Sequence, residues 1–174
     1  MVSSVTASTA LPTAAHPAAA GSQMLYFAYG ANMRRDAFCR LCPGADWLGV
    51  ARLEGHRVVI AWHGYASVLP AAASTVWGTL WLVPAAGLPA LDAFEQMADG
   101  LYERVTRRVV TPAGPRVETM LYLAPRPDLG APQPGYLEEV LAGAKENRLP
   151  AAYLRQLTGL ADGPGAAASA PPLP

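Results

Sequence analysis

The sequence predicts a compact α+β domain with a strongly curved or closed mixed β-sheet. Two observations carry this expectation. Apolar, β-rich segments run together in the middle of the chain, from about position 45 to 123. Helix-patterned segments stand before them, once between them, and in a pair at the end. Length and composition agree with one domain, since 174 residues at 52% hydrophobic content supply ample material for a single core. Periodicity alone does not separate an open sheet from a barrel.

The first element is Leu25-Tyr26-Phe27-Ala28-Tyr29, whose aromatic residues favour a buried strand. Gly30 supplies the backbone freedom for a sharp turn. Asn32 suits a helix N-cap, with a helix over 33–38. Such a turn leaves backbone N–H groups aimed into one cleft, where they can hold a carboxylate or a polarised carbonyl oxygen. Strands are expected over 45–62, 66–69 and 75–83. The clearest is Val76-Trp77-Gly78-Thr79-Leu80-Trp81-Leu82, in which Gly78 marks the approach of another backbone. Pro84 ends it. A short helix over 87–97 stops at Gly100. Segments 101–111 and 116–123 form a hairpin around Pro112-Ala113-Gly114-Pro115. A Pro-rich loop over 124–134 leads to helices over 136–145 and 151–160, with Pro150 in the first turn of the second.

Formal net charge is zero, from 13 basic and 13 acidic residues, so nucleic acid and membrane are not expected partners. Pro, Gly and charge break every apolar stretch well before the roughly 18 residues a membrane span needs. Residues 1–23 are rich in Ala, Ser, Thr and Pro and carry His16 as their one ionisable side chain. Pro12 and Pro17 interrupt what a secretory signal would keep apolar. The stretch reads as a disordered tail, with a natural start near Met24. Residues 163–174 read as a second such tail, which leaves 24–162 as the domain. Cys39 and Cys42 lack further ligands at metal spacing, so no metal site is expected. They read as two half-buried thiols in a reducing cytoplasm, with a redox pair as the alternative.

Glu95 is the candidate for chemistry. On the 87–97 helix Leu88, Leu91 and Glu95 follow i, i+3, i+7, with Phe94 beside them. This spacing puts Glu95 on the apolar stripe, while Asp92 and Asp99 face solvent or cap an end. A carboxylate among Leu91, Phe94 and Met97 loses hydration, so its pKa rises above about 4.3 and it can accept and then donate a proton. The competing reading is a boundary residue paired with Arg104 or Arg107. His63 reads as a turn residue, and the four tryptophans as core and pocket wall.

Three ordered blocks carry a resemblance. Tyr26-Phe27-Ala28-Tyr29-Gly30-Ala31-Asn32-Met33 resembles the YFAYGSN opening of the gamma-glutamylcyclotransferase (AIG2-like) family. Leu91-Asp92-Ala93-Phe94-Glu95-Gln96 is similar to its LD-x-x-EG segment. Residues 143–150, GAKENRLP, are similar to its GAKENGLP, a block that reads chiefly as architecture. The resemblance implies a small barrel-like sheet with flanking helices and a cofactor-independent cytoplasmic enzyme. Its substrate, a small γ-glutamyl amino acid or amine, cyclises to 5-oxoproline. It further implies Glu95 as the proton shuttle, and Tyr29, Gly30, Ala31, Asn32, Met33, Arg34 and Tyr136 as substrate contacts. A homodimer is compatible with it. Tyr136 has a second reading, as an aromatic packed on the sheet, and Lys145 reads as solvated. Two residues depart from the family pattern: Ala31 replaces Ser, and Gln96 replaces Gly. They make a γ-glutamyl amine or a natural-product substrate credible; a ligand-binding relative without turnover is the alternative from a different class.

Overall fold

Five strands, β1 (Gln23–Ala28), β2 (Asp46–Ile60), β3 (Ala66–Pro84), β4 (Glu103–Val110) and β5 (Arg116–Leu123), close into a barrel in the order β1-β3-β2-β4-β5. The closing pair, β1 with β5, is parallel through Tyr26 and Met120, and the other pairs are antiparallel. This computed structural model describes residues 22–163 apart from positions 112 and 127. The two expected tails lie outside the described residues except at their inner ends, and β1 begins at Gln23.

β3 is one 19-residue strand where the sequence reads as two short ones. Pro70 and the small residues after it look like a break. Pro70 instead faces His56, beside the register shift between Glu54 and His56, where the ladder is already interrupted. A proline costs little where no ladder bond is expected from it. Gly78 does mark a close approach: a Cβ there would stand 2.2 Å from the Ala28 carbonyl oxygen.

The helices are α1 (Arg35–Leu41), α2 (Leu88–Phe94), α3 (Tyr136–Glu146) and α4 (Ala151–Thr158), and Pro150 is the N-cap of α4 rather than part of its first turn. α1 covers one end of the core, where the Phe38 ring lies 5.4 Å from that of Tyr26 and 4.4 Å from that of Trp81. α3 docks on a 3-10 turn at Ala31–Met33. A Cβ on Gly143 would come within 2.9 Å of Met33 Cβ, so glycine sets the helix-to-turn distance. Asn147 fixes the same junction: its Nδ2 donates to the carbonyls of Met33 and Gly143, both at 2.8 Å, while its Oδ1 accepts from Arg35 Nε at 3.1 Å. The 143–150 block is thus architectural, and Lys145 is exposed.

Trp81 is core, but Trp47 and Trp62 are largely exposed beneath the guanidinium groups of Arg35 and Arg126. Cys39 is exposed and Cys42 buried, both as free thiols. Among the described residues no helix is long and apolar enough to cross a membrane.

Candidate active site

The site forms where the turn after β1 meets the end of α2. Gly30 has a negative φ of −115°, so left-handed freedom is not what the position requires. Room is. A Cβ would lie 2.7 Å from the Tyr136 hydroxyl oxygen. The Met33 and Arg34 N–H groups donate to the carbonyls of Gly30 and Ala31 at 3.1 Å. The N–H groups of Ala31 and Asn32 precede these bonds and have no partner within the turn's helix.

Asn32 is not the N-cap the sequence implies. It lies inside the 3-10 turn, and α1 starts only at Arg35, without a side-chain cap. The Asn32 amide is turned inward instead. Its Nδ2 donates to the Tyr26 hydroxyl at 3.0 Å and to Glu95 Oε1 at 2.8 Å. Two expected contacts lie elsewhere. Met33 is fully buried under α3, and Arg34 faces Glu139 and Asp36 at 3.0 and 3.5 Å. Neither lines the cavity, because a 3-10 turn carries them past its edge.

α2 ends one residue before Glu95, which is its C-cap, with the Glu95 N–H on the Leu91 carbonyl. The expected helical stripe therefore breaks at Phe94, whose side chain is 52% exposed rather than packed over the carboxylate. Glu95 still turns into the protein. Burial pushes its pKa up to about 7, against the opposing pull of the Asn32 hydrogen bond. Neither arginine expected as a partner takes it. Arg104 pairs with Asp92, and Arg107 donates to the Thr106 carbonyl. Asp92 is likewise no free surface acid, for it also accepts from the Tyr122 hydroxyl at 2.7 Å.

Glu95, Gly30, Ala31, Asn32, Tyr29 and Tyr136 line one cavity of about 200 Å³. The chain is similar to known proteins over most of its length. Residues 75–157 match the model of the AIG2-like family. The chain is 30% identical over 146 residues to human gamma-glutamylcyclotransferase, covering 78% of each chain. Against the mouse protein of the same name identity is 29% over 155 residues, or 83% of this chain and 82% of the relative. A solved gamma-glutamyl cyclotransferase superposes with a TM-score of 0.73 at 29% identity, over 79% of this chain and 87% of that one. The chain belongs to the gamma-glutamylcyclotransferase family.

Within this family member the cavity wall is phenolic. Besides Tyr29 and Tyr136, it includes Tyr26, Tyr65, Tyr102 and Tyr122, which sequence reasoning left in the core or unassigned. The tryptophans expected there are absent from it. The phenols divide by where their protons go. Tyr29 donates to the Tyr122 carbonyl, Tyr102 to the Ala66 carbonyl and Tyr122 to Asp92. Carbonyls and carboxylates only accept, so these three protons are committed. Tyr26 accepts from Asn32, and Tyr136 accepts from the Ala66 N–H at 3.1 Å. Their own O–H groups are free to point into the cavity. Burial holds the pKa of both well above the ordinary tyrosine value, so they remain donors.

The family's Gly position is explained by backbone shape. Gln96 sits at φ 51°, ψ 44°, in the left-handed region that suits glycine. Here a glutamine accepts that strain at the cavity edge.

Proposed function

We propose that this protein converts a small γ-glutamyl amide to 5-oxoproline and a free amine, with Glu95 as the proton shuttle. The observation that supports this most directly is a desolvated carboxylate facing a glycine turn across one cavity of suitable size. The substrate's α-ammonium gives a proton to Glu95. Its nitrogen then attacks the γ-carbonyl carbon and the carbonyl oxygen becomes an oxyanion. Glu95 returns the first proton to the departing nitrogen as the C–N bond breaks and the carbonyl re-forms. It then takes the second proton shed by the new ring nitrogen and passes it to the released amine, which leaves as an ammonium. Tethering does much of the work, since oriented intramolecular reactions reach effective molarities of about 10⁵–10⁸ M.

The oxyanion needs donors fixed in advance. The Tyr136 hydroxyl and the Asn32 N–H fit that role, while the Ala31 N–H donates to the Tyr136 oxygen and holds that hydroxyl in place. A backbone donor survives the exchange of serine for Ala31 unchanged. The reaction calls on neither water nor a cofactor, and a reducing cytoplasm suits two free thiols. The test is 5-oxoproline release from γ-glutamyl-alanine and γ-glutamyl-amines by the wild type and by Glu95→Gln. The variant should lose turnover by about 10²–10⁴-fold while binding substrate within a few-fold. A ligand-binding relative would bind these compounds and release no 5-oxoproline.

A further inference from the structure

We propose that Phe94 and Gln96 form the leaving-group subsite, and that it selects amines that carry an apolar ring and no carboxylate. The inference rests on the cyclotransferase reading and names its substrate class. Glu95 must reach the departing nitrogen, so the group attached to that nitrogen starts beside Glu95. The glutamyl part occupies the inner end, near Gly30 and Tyr136. The leaving group therefore extends the other way, through the opening, whose edge holds the residues on either side of Glu95 in sequence.

Both neighbours are exposed at that edge. Among the described residues Phe94 is the most exposed of the large apolar side chains, at 52%, although α2 offers it no structural task there. A ring laid on it would remove apolar area from water and gain aromatic contact. Gln96 keeps a left-handed backbone that glycine would adopt freely. Its neutral amide can meet a polar edge of the ligand but cannot neutralise a charge.

Among the described residues that line the cavity, Glu95 is the one charged side chain. The arginines near the wall are already held: Arg104 by Asp92, which also accepts from the lining residue Tyr122, and Arg34 by Glu139 and Asp36. A γ-glutamyl amino acid would bring the carboxylate of its leaving half to this edge with no cation to meet it and Glu95 close by. Desolvating an unpaired carboxylate is costly, and a like charge adds to the cost. A γ-glutamyl amine brings no such group.

Two substrates that differ only by that carboxylate decide the matter: γ-glutamyl-phenethylamine and γ-glutamyl-phenylalanine. Release of 5-oxoproline by the full chain should show kcat/KM at least ~10-fold higher for the amine. Equal turnover, or preference for γ-glutamyl-phenylalanine, overturns the subsite and leaves the cyclotransferase reading standing. No 5-oxoproline from either compound, nor from γ-glutamyl-methylamine, takes down both. In Phe94→Ala, checked for native circular dichroism, the preference for phenethylamine over methylamine should shrink by about tenfold. An unchanged ratio removes Phe94 from the subsite.

Discussion

Asn32 Nδ2 stands 2.8 Å from Glu95 Oε1, joining the turn after β1 to the end of α2 across the cavity. The same nitrogen reaches the Tyr26 hydroxyl, so the amide is held from two sides. This bond favours the charged carboxylate, while burial favours the neutral acid, and burial wins. The result is a carboxylate that titrates near neutrality.

The pH dependence of turnover follows. A base must be unprotonated to act, so kcat/KM should climb as pH rises through about 7. Asn32→Ala removes the interaction that favours the anion, and the midpoint should move upward by about one pH unit. Activity titrations of the two proteins measure this. A midpoint that stays in place would show that Asn32 does not tune Glu95.

Stability should depend on pH in the opposite sense from a salt-bridged carboxylate. The Glu95 pKa is about 7 in the fold against an ordinary value of 4.5, so the native state binds more protons than the unfolded chain between them. Stability contributed by the neutral acid is present at low pH and lost as pH rises through that window. Glu95→Gln should be more stable than wild type above pH 7, by up to about 3 kcal/mol, and should lose that advantage near pH 4. Urea unfolding at pH 4.5 and pH 8 provides the comparison.

Gln96→Gly should stabilise the fold by about 1 kcal/mol, because a left-handed residue with a Cβ is strained. The backbone bonds at this position, from Gln96 N–H to the Ala93 carbonyl and from the Leu101 N–H to the Gln96 carbonyl, need no side chain. A thermal midpoint that falls would mean that the glutamine side chain compensates for its backbone.

Tyr136→Phe removes a free donor from the cavity and leaves the Ala66 N–H without its acceptor. Loss of one oxyanion donor costs on the order of 10²-fold in kcat, with KM changed far less. Steady-state kinetics separate this from mere loosening of the fold, which would raise KM as well.

Asn147→Ala should destabilise the protein by about 2–3 kcal/mol, since it strips two buried carbonyls of their donor. It should also loosen the turn at Ala31–Met33 and lower kcat, although Asn147 is not among the residues lining the cavity. A melting curve and an activity assay on one preparation test both effects.

Much of this was legible in the residues. Strand–Gly–turn chemistry placed Gly30, and i, i+3, i+7 spacing turned Glu95 inward even though α2 stops at Phe94. Hydrophobic patterning fails where a single turn decides direction. A 3-10 turn and an α-helix begin alike in sequence, so Asn32 reads as a cap, whereas Met33 and Arg34 are expected as contacts only through the resemblance. Closure of the barrel is beyond periodicity and rests on the family resemblance, which the closed sheet bears out. Tyr26 and Tyr122 lie almost a hundred positions apart and meet only because β1 pairs in parallel with β5 next to Met120. A tyrosine on a half-buried strand reads as core until its neighbours are known.

Asn147 and Gly143 hold the turn at Met33 from more than a hundred residues downstream. During synthesis, the N-terminal cradle therefore emerges long before anything exists to clasp it. On the proposed function, competence is withheld until α3 and Asn147 behind it have left the ribosome, and a chain cut short before them would have Glu95 without a fixed cradle to face.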